Sequence, residues 1–243
     1  YVIQPAGSHC EGTEIYLNGS QLGVDYHLLW NNILQTTLPG TGTMLSFGPQ
    51  YLPGSYSIKA VSTANSCDTI MAGTTNIVPG PLKFTISPAG INCSMTEIVL
   101  NGSEPGVIYQ LRRDSLVNVG TPLTGTGSAL NFGPQAIPGV YRIVAQDPVS
   151  LCVSWMHAKT TIQPPASNYS MLPSGDTCSP AMVRLNGSQV GKMYHLMFNG
   201  AMLPDSLPGT GNPLVFGTYL TGGVYRIVAV DIISRCSTPM SDS

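Results

Sequence analysis

Six cysteines are the residues of this chain whose type and spacing most directly imply chemistry. They fall in three pairs, Cys10 with Cys67, Cys93 with Cys152 and Cys178 with Cys236. Each pair closes a loop of about 58 residues, which removes unfolded-state entropy worth roughly 4 kcal/mol. The expectation is three disulfides, Cys10–Cys67, Cys93–Cys152 and Cys178–Cys236, each inside one repeat. Zinc is the competing use of cysteine, but no Cys-x2-Cys and no recurrent histidine accompanies them. No metal and no cofactor is therefore expected, and disulfides point to an oxidising compartment, hence export.

The remaining polar groups make no catalytic set, because a nucleophile, base and orienter must converge and such groups usually occur once per active domain. His27 and His195 occupy equivalent places between a Tyr and a Leu, where the middle repeat has Gln110, and read as an exposed strand face. His9 and His157 are unrepeated and read as solvated. The Gly-Thr-Gly triplets at Gly40, Gly125 and Gly209 lead into strands, not helices, so they are turns and not phosphate loops. No Asp-x-Asp-x-Asp run offers a calcium cage. Trp30 and Trp155 sit at non-equivalent positions and read as packing residues, not as a sugar platform. Asn18, Asn101 and Asn186 each begin Asn-Gly-Ser, formally a glycosylation acceptor, as do Asn92 and Asn168 in their own contexts; a turn, where Asn and Gly adopt positive φ at little cost, is the expected role of the repeated three. The chain is expected not to be an enzyme.

Everything around those cysteines repeats. Leu-Asn-Gly-Ser begins at Leu17, Leu100 and Leu185, steps of about 84 residues, the signature of a tandem array. Each copy continues with Gly-x-x-Tyr-x-Leu (Gly23, Gly106, Gly191), the Gly-Thr-Gly triplet, Gly-x-Tyr-x-Ile-x-Ala (Gly54, Gly139, Gly223) and Cys-x3-Met (Met71, Met156, Met240). Apolar residues alternate with polar ones, as in Ile15/Leu17, Tyr26/Leu28 and Tyr56/Ile58/Ala60, the period of a strand with one buried face. With 27 Gly and 20 Pro among 243 residues, long helices are excluded. The fold class is all-β: three tandem immunoglobulin-like β-sandwich domains, at 1–80, 81–164 and 165–243, in an elongated rod. Val78-Pro79-Gly80-Pro81 and Gln163-Pro164-Pro165 are the stiff junctions. Tyr1 aligns with Phe84 inside a strand, and the strand present at 72–78 and 157–163 is reduced to Ser241-Asp242-Ser243, so the last strand of repeat three is expected to be truncated and the segment to come from a longer array.

Charge sets further bounds. Charged residues are 9% of the chain and its net charge is -2, so no basic face is available for nucleic acid. No run of eighteen apolar residues could span a bilayer as a helix.

Together, Cys, LNGS-x-x-Gly-x-x-Tyr-x-Leu, Gly-Thr-Gly, Pro-Gly-x-Tyr-x-Ile-x-Ala and Cys-x3-Met resemble the immunoglobulin-like repeats of giant Bacteroidota cell-surface proteins. These are type IX secretion substrates that include SprB-like gliding-motility adhesins and related surface fibres. The resemblance implies a structural or adhesive segment of a long exported fibre, a disulfide-stapled spacer at the cell surface. Its partners would be neighbouring repeats of the same chain and possible contacts with surface polysaccharide or substratum. An extracellular carbohydrate-binding array is the alternative. The same family implies O-glycosylation at Asp followed by Ser or Thr and an apolar residue, hence at Thr69, Ser115 and Ser206.

Overall fold

The structure, a computed structural model, describes residues 1–241; of the expected remnant Ser241-Asp242-Ser243, the last two residues lie outside the described ones. The described residues are all β, and they form three cores. The first gathers Ile15, Leu17, Tyr26, Leu28, Tyr56 and Ile58. The second gathers their counterparts Ile98, Leu100, Tyr109, Leu111, Tyr141 and Ile143. The third is built on Val183, Leu185, Tyr194, Leu196 and Ile227. These are the residues that alternation assigns to the buried faces, and each core is enclosed by two sheets in the manner of an immunoglobulin-type sandwich.

In the first unit a three-stranded sheet runs Ile3–Gln4, Thr13–Leu17, Leu45–Gln50. The facing sheet runs Gly7–Cys10, Thr75–Val78, Gly54–Ser62, Val24–Trp30, Ile33–Pro39, with Asp68–Ile70 paired to the far half of Gly54–Ser62. Only the Gly7–Cys10 edge of this sheet is parallel to its neighbour. The second unit repeats the plan strand for strand, Gly90–Asn92 lying parallel to Thr160–Ile162. The third keeps the three-stranded sheet, but its facing sheet is Ala201–Pro208, Lys192–Phe198, Tyr225–Asp231, Ser237–Pro239. The two edge strands have no counterpart there among the described residues.

The repeated motif is consumed by one internal device. Ser20, Ser103 and Ser188, the serines of Leu-Asn-Gly-Ser, are buried. Each hydroxyl accepts from the backbone N–H of the Gly-Thr-Gly threonine (Thr41, Thr126, Thr210) at 3.0 Å and donates at 2.6 Å to the carbonyl two residues further on. The adjoining Tyr26, Tyr109 and Tyr194 hydroxyls accept from the N–H of Gln21, Glu104 and Gln189. Glycine is obligatory at Gly40, Gly125 and Gly209, since a Cβ at each would fall on the backbone carbonyl of Gln21, Glu104 or Gln189. A second tyrosine pins each sandwich at its corner: Tyr56, Tyr141 and Tyr225 donate to Leu52, Ile137 and Thr221 carbonyls four residues upstream. Buried, paired polar groups of this kind define a turn and leave nothing free for chemistry.

Candidate functional site: the junctions between units

The disulfides do not lie inside the repeats. Cys10 of the first unit is bonded to Cys152 of the second, and Cys93 of the second to Cys236 of the third, with Cα–Cα distances of 5.5 and 5.3 Å. Cys67 and Cys178 are free and exposed. The expected pairs Cys10–Cys67, Cys93–Cys152 and Cys178–Cys236 are thereby corrected, and strand direction gives the reason.

Cys10 ends the parallel edge strand, level with Val78, immediately before the Pro79–Pro81 junction. It therefore sits at the pole from which the chain leaves the unit. Cys67 lies beyond the opposite end of Gly54–Ser62, whose first residue is level with Ile77. The nine residues of that strand separate the two poles by ~25 Å at about 3.3 Å per residue, whereas bridged Cα atoms lie within about 7 Å. An intra-unit bond is geometrically closed. The entry pole of the next unit, by contrast, presents its own loop cysteine directly to the exit pole of the one before.

That loop is built identically three times. The N–H of its first residue donates to the cysteine carbonyl, Ser62 to Cys67 at 2.8 Å, Asp147 to Cys152 at 3.0 Å and Asp231 to Cys236 at 2.9 Å. The residue before each cysteine has positive φ: Ser66 at 60°, Leu151 at 60°, Arg235 at 62°. Cys67 is thus held as Cys152 and Cys236 are. Two of the loops carry an aspartate at their start. The Val149 and Ser150 groups hold the Asp147 carboxyl below its ordinary range. Lys192 chiefly, at 2.7 Å, and then the Ser234 N–H hold the Asp231 carboxyl well below it. At the first junction Gly80 closes against the second unit, where a Cβ would lie 2.7 Å from Ser154 Oγ.

No protein-family model matches the chain, and no curated protein does. Among solved structures, three N-terminal domains of the highly immunogenic outer capsid protein of bacteriophage RB49 are similar at 12% identity and a TM-score of 0.36, over 100% of this chain and 95% of that one. An I-band fragment of titin is similar at 10% identity and a TM-score of 0.36, over 97% and 94%. The Bacteroides ovatus protein SGBP-B of a mixed-linkage glucan utilization locus, in complex with a mixed-linkage heptasaccharide, gives 14% identity and a TM-score of 0.27, over 96% and 61%.

The other singled-out residues are not brought together. Thr69 lies exposed on the Asp68–Ile70 strand, where Lys59 pairs with Asp68. Ser115 is in the three-residue hairpin connection between Arg113 and Val117, where it and Asp114 are at positive φ, and the Asp114 carboxylate accepts from Val140 N–H as the Asn31 and Asn199 amides do from Ser55 and Val224. Ser206 is mid-strand, level with His195, and the neighbouring Asp205 accepts from Tyr219, whose own pKa is pushed up to about 12 by burial and then by that carboxylate. The three hydroxyls are exposed in three different settings. His27 and His195 are half-buried, His9 bonds the Ala6 carbonyl at 2.9 Å, and His157 is exposed. Trp30 donates to the Pro53 carbonyl, and Trp155 carries Arg112 over its ring at 5.7 Å. Among the described residues no cluster of three His, Cys, Asp or Glu could hold a metal, and no helix is long and apolar enough to cross a membrane.

The sequence signal for the junctions is there to be read, though it is weak. The first cysteine of each repeat (Cys10, Cys93, Cys178; the first type, against the second type Cys67, Cys152, Cys236) lies three residues after a repeated glycine, Gly7, Gly90 or Gly175, and these tetrapeptides carry no alternation. An edge strand running the wrong way for an intra-unit bridge is therefore easily missed.

Proposed function

We propose that the chain is a load-bearing section of an extracellular fibre, non-enzymatic, in which units at 1–80, 81–164 and 165–243 act as spacers in a long exported bacterial surface protein of adhesive kind. The observation that supports the reading is the bonding of each unit to the next, Cys10–Cys152 and Cys93–Cys236. Such bonds persist only in an oxidising setting. They give tension a route that bypasses most of the folded chain. From Tyr1 the covalent path runs to Cys10, crosses to Cys152, returns along the second unit to Cys93, crosses to Cys236 and ends at Ser243. The repeated polar side chains, meanwhile, are occupied in holding turns. Sugars at Thr69, Ser115 and Ser206 belong to the same reading, since all three hydroxyls project from the surface of a protein with 9% charged residues.

Pulling single molecules from both termini tests the load path. The bridged path is roughly 80 residues, ~280 Å at about 3.5 Å per residue, whereas the reduced chain reaches roughly 850 Å. An oxidised molecule that stretches as far as the reduced one overturns the proposal.

A further inference from the structure

The outward face of the larger sheet of the second unit carries a row of cations that the sandwich does not use. Arg112, on the strand Ile108–Arg113, stands directly opposite Arg142, on the strand Gly139–Gln146. Lys159 immediately precedes Thr160, which is level with Tyr141, so it continues the row beyond Arg142. Leu111, Tyr141, Ile143 and Thr160 are buried in the sandwich, and strand alternation turns Arg112, Arg142 and Lys159 the other way. The row crosses two strand spacings, ~10 Å.

Like charges directly opposite one another on a sheet cost stability, and nothing in the fold repays that cost. Arg142 and Lys159 are exposed, and among the described residues neither side chain has a hydrogen bond or an ion pair. Arg112 lies over the ring of Trp155 at 5.7 Å, and its Nε–H is buried with no acceptor. The ring alone therefore fixes the guanidinium, which can turn a bidentate edge to an oxyanion without giving up a hydrogen bond. Asp114, two residues on, is already engaged: its carboxylate accepts from Val140 N–H and lies 3.8 Å from Arg113 Nε. The first unit shows that the row is dispensable for folding. It builds the same sheet with Leu29 opposite Ser57, with Thr74 before the strand Thr75–Val78, and with Ile70 in the place of Trp155.

The chemistry of the face selects its ligand. A guanidinium fork matches a carboxylate in two parallel hydrogen bonds. Trp155 is 38% exposed at the flank of the row, and an indole beside paired guanidinium groups suits a sugar ring whose apolar C–H face packs on the aromatic system while its acid group reaches the arginines. A row of three is also short of the roughly 6–10 phosphate contacts typical of a nucleic-acid site. We propose that this face binds a linear acidic polysaccharide of uronic-acid type. Arg112 and Arg142 take its carboxylates, Lys159 adds charge at the end of the row, and Trp155 supports a sugar ring. The site is independent of the load-bearing reading and is particular to the second unit.

The test is titration of a short oligogalacturonate into the intact oxidised chain. Saturable binding is expected, weakened by added salt, with the Trp155 indole N–H resonance shifting and that of Trp30 unmoved. Arg142→Ser should weaken binding ~3-fold or more, and Arg112→Leu combined with it ~10-fold or more; Trp155→Ile should weaken it ~3-fold. These changes install the residues of the first unit, and Arg142, exposed and unpartnered, carries the test even if Arg112→Leu disturbs the sheet. A neutral oligosaccharide of the same length should not bind, and poly-glutamate should bind at least ~10-fold more weakly. The proposal is overturned if no saturation is reached, if Arg142→Ser binds as the wild type does, if poly-glutamate binds equally well, or if the shifts fall at Trp30 instead.

Discussion

Cutting the first junction, with every disulfide left intact, is the perturbation that separates bonding between units from bonding within them. A protease site inserted between Gly80 and Pro81 would be cleaved in the oxidised protein. Because Cys10 and Cys152 lie on opposite sides of the cut, the two fragments should run as one species without reductant and as two with it. Stability gives the second readout. When the second unit unfolds beside a folded first unit, Cys10 stays fixed level with Val78, so the loop to be closed is the chain from the junction to Cys152. That is roughly 70 residues, and the chain-entropy relation makes its closure worth about 4 kcal/mol to the second unit. For a domain of this size about 4 kcal/mol corresponds to a melting shift of ~20 °C or a little more. Cleavage opens that loop as surely as reduction does. The cut alone should therefore lower the melting temperature of the second unit by this amount, and replacing Cys10 and Cys152 by serine in the cut protein should add little more. Bonds confined to single units would make the cut harmless and the fragments separable without reductant. Either result refutes the reasoning.

Ser103→Ala leaves the Thr126 N–H and the Ser128 carbonyl without their shared hydroxyl, and should destabilise the second unit by about 2 kcal/mol in urea titration; a loss under about 0.5 kcal/mol would contradict the turn-pinning role. Gly125→Ala, which sets a Cβ on the Glu104 carbonyl, should cost more than about 3 kcal/mol or prevent folding, while Gly127→Ala, whose Cβ would meet only Pro105 Cγ at an ordinary 3.7 Å but at a φ of 86°, should cost only about 1–2 kcal/mol. Asp231→Asn breaks the pair with the buried Lys192 and should weaken the third unit by roughly 3 kcal/mol at neutral pH. Because the folded Asp231 carboxyl is held below its ordinary range, its contribution is fully present above the unfolded value near ~3.9 and is lost as pH falls through the folded one. The melting gap between wild type and variant should thus hold from pH 7 to about 4 and close below it, and a gap that persists unchanged in acid would exclude the ion pair as its source.

The sandwiches are legible in the sequence because their physics is local. Tyr26 and Leu28, or Tyr141 and Ile143, alternate with polar neighbours, and a strand with one buried face has no other way to place them. The turns are legible for the same reason: Asn31-Asn32, Asp114-Ser115 and Asn199-Gly200 all take the positive φ that their residue types allow. The deeper use of Leu-Asn-Gly-Ser is not local. Its asparagine attracts attention as a sugar acceptor, yet it is the serine that is buried, bonded to a turn over twenty residues away in sequence. The cysteine pairing is hidden by a degeneracy of periodic chains. The bridged residues are separated by 142 and 143 positions, a constancy as good as the about 58 residues within each repeat, because any two fixed offsets in an array repeat with it. Spacing selects a rule for pairing but not the unit in which the partner lies.

What selects it is polarity. A first-type cysteine stands at the exit pole because its short strand runs parallel to the last strand of its unit. A second-type cysteine stands at the entry pole because its loop follows the far end of the strand antiparallel to that one. A bond from one pole to the other of the same sandwich would have to cross its full length, whereas a bond from exit pole to the next entry pole crosses only the proline junction. Applied to three units, this rule uses Cys10, Cys93, Cys152 and Cys236, and it leaves one cysteine of each type, Cys178 and Cys67, without a partner. The loop of Cys67 matches the bonded loops down to the φ of the preceding residue. Directional pairing also explains why the junctions can be short. The bridge, together with the prolines, fixes the approach of one pole to the next, so the facing loops are free to keep residues such as Val149 and Ile233 exposed.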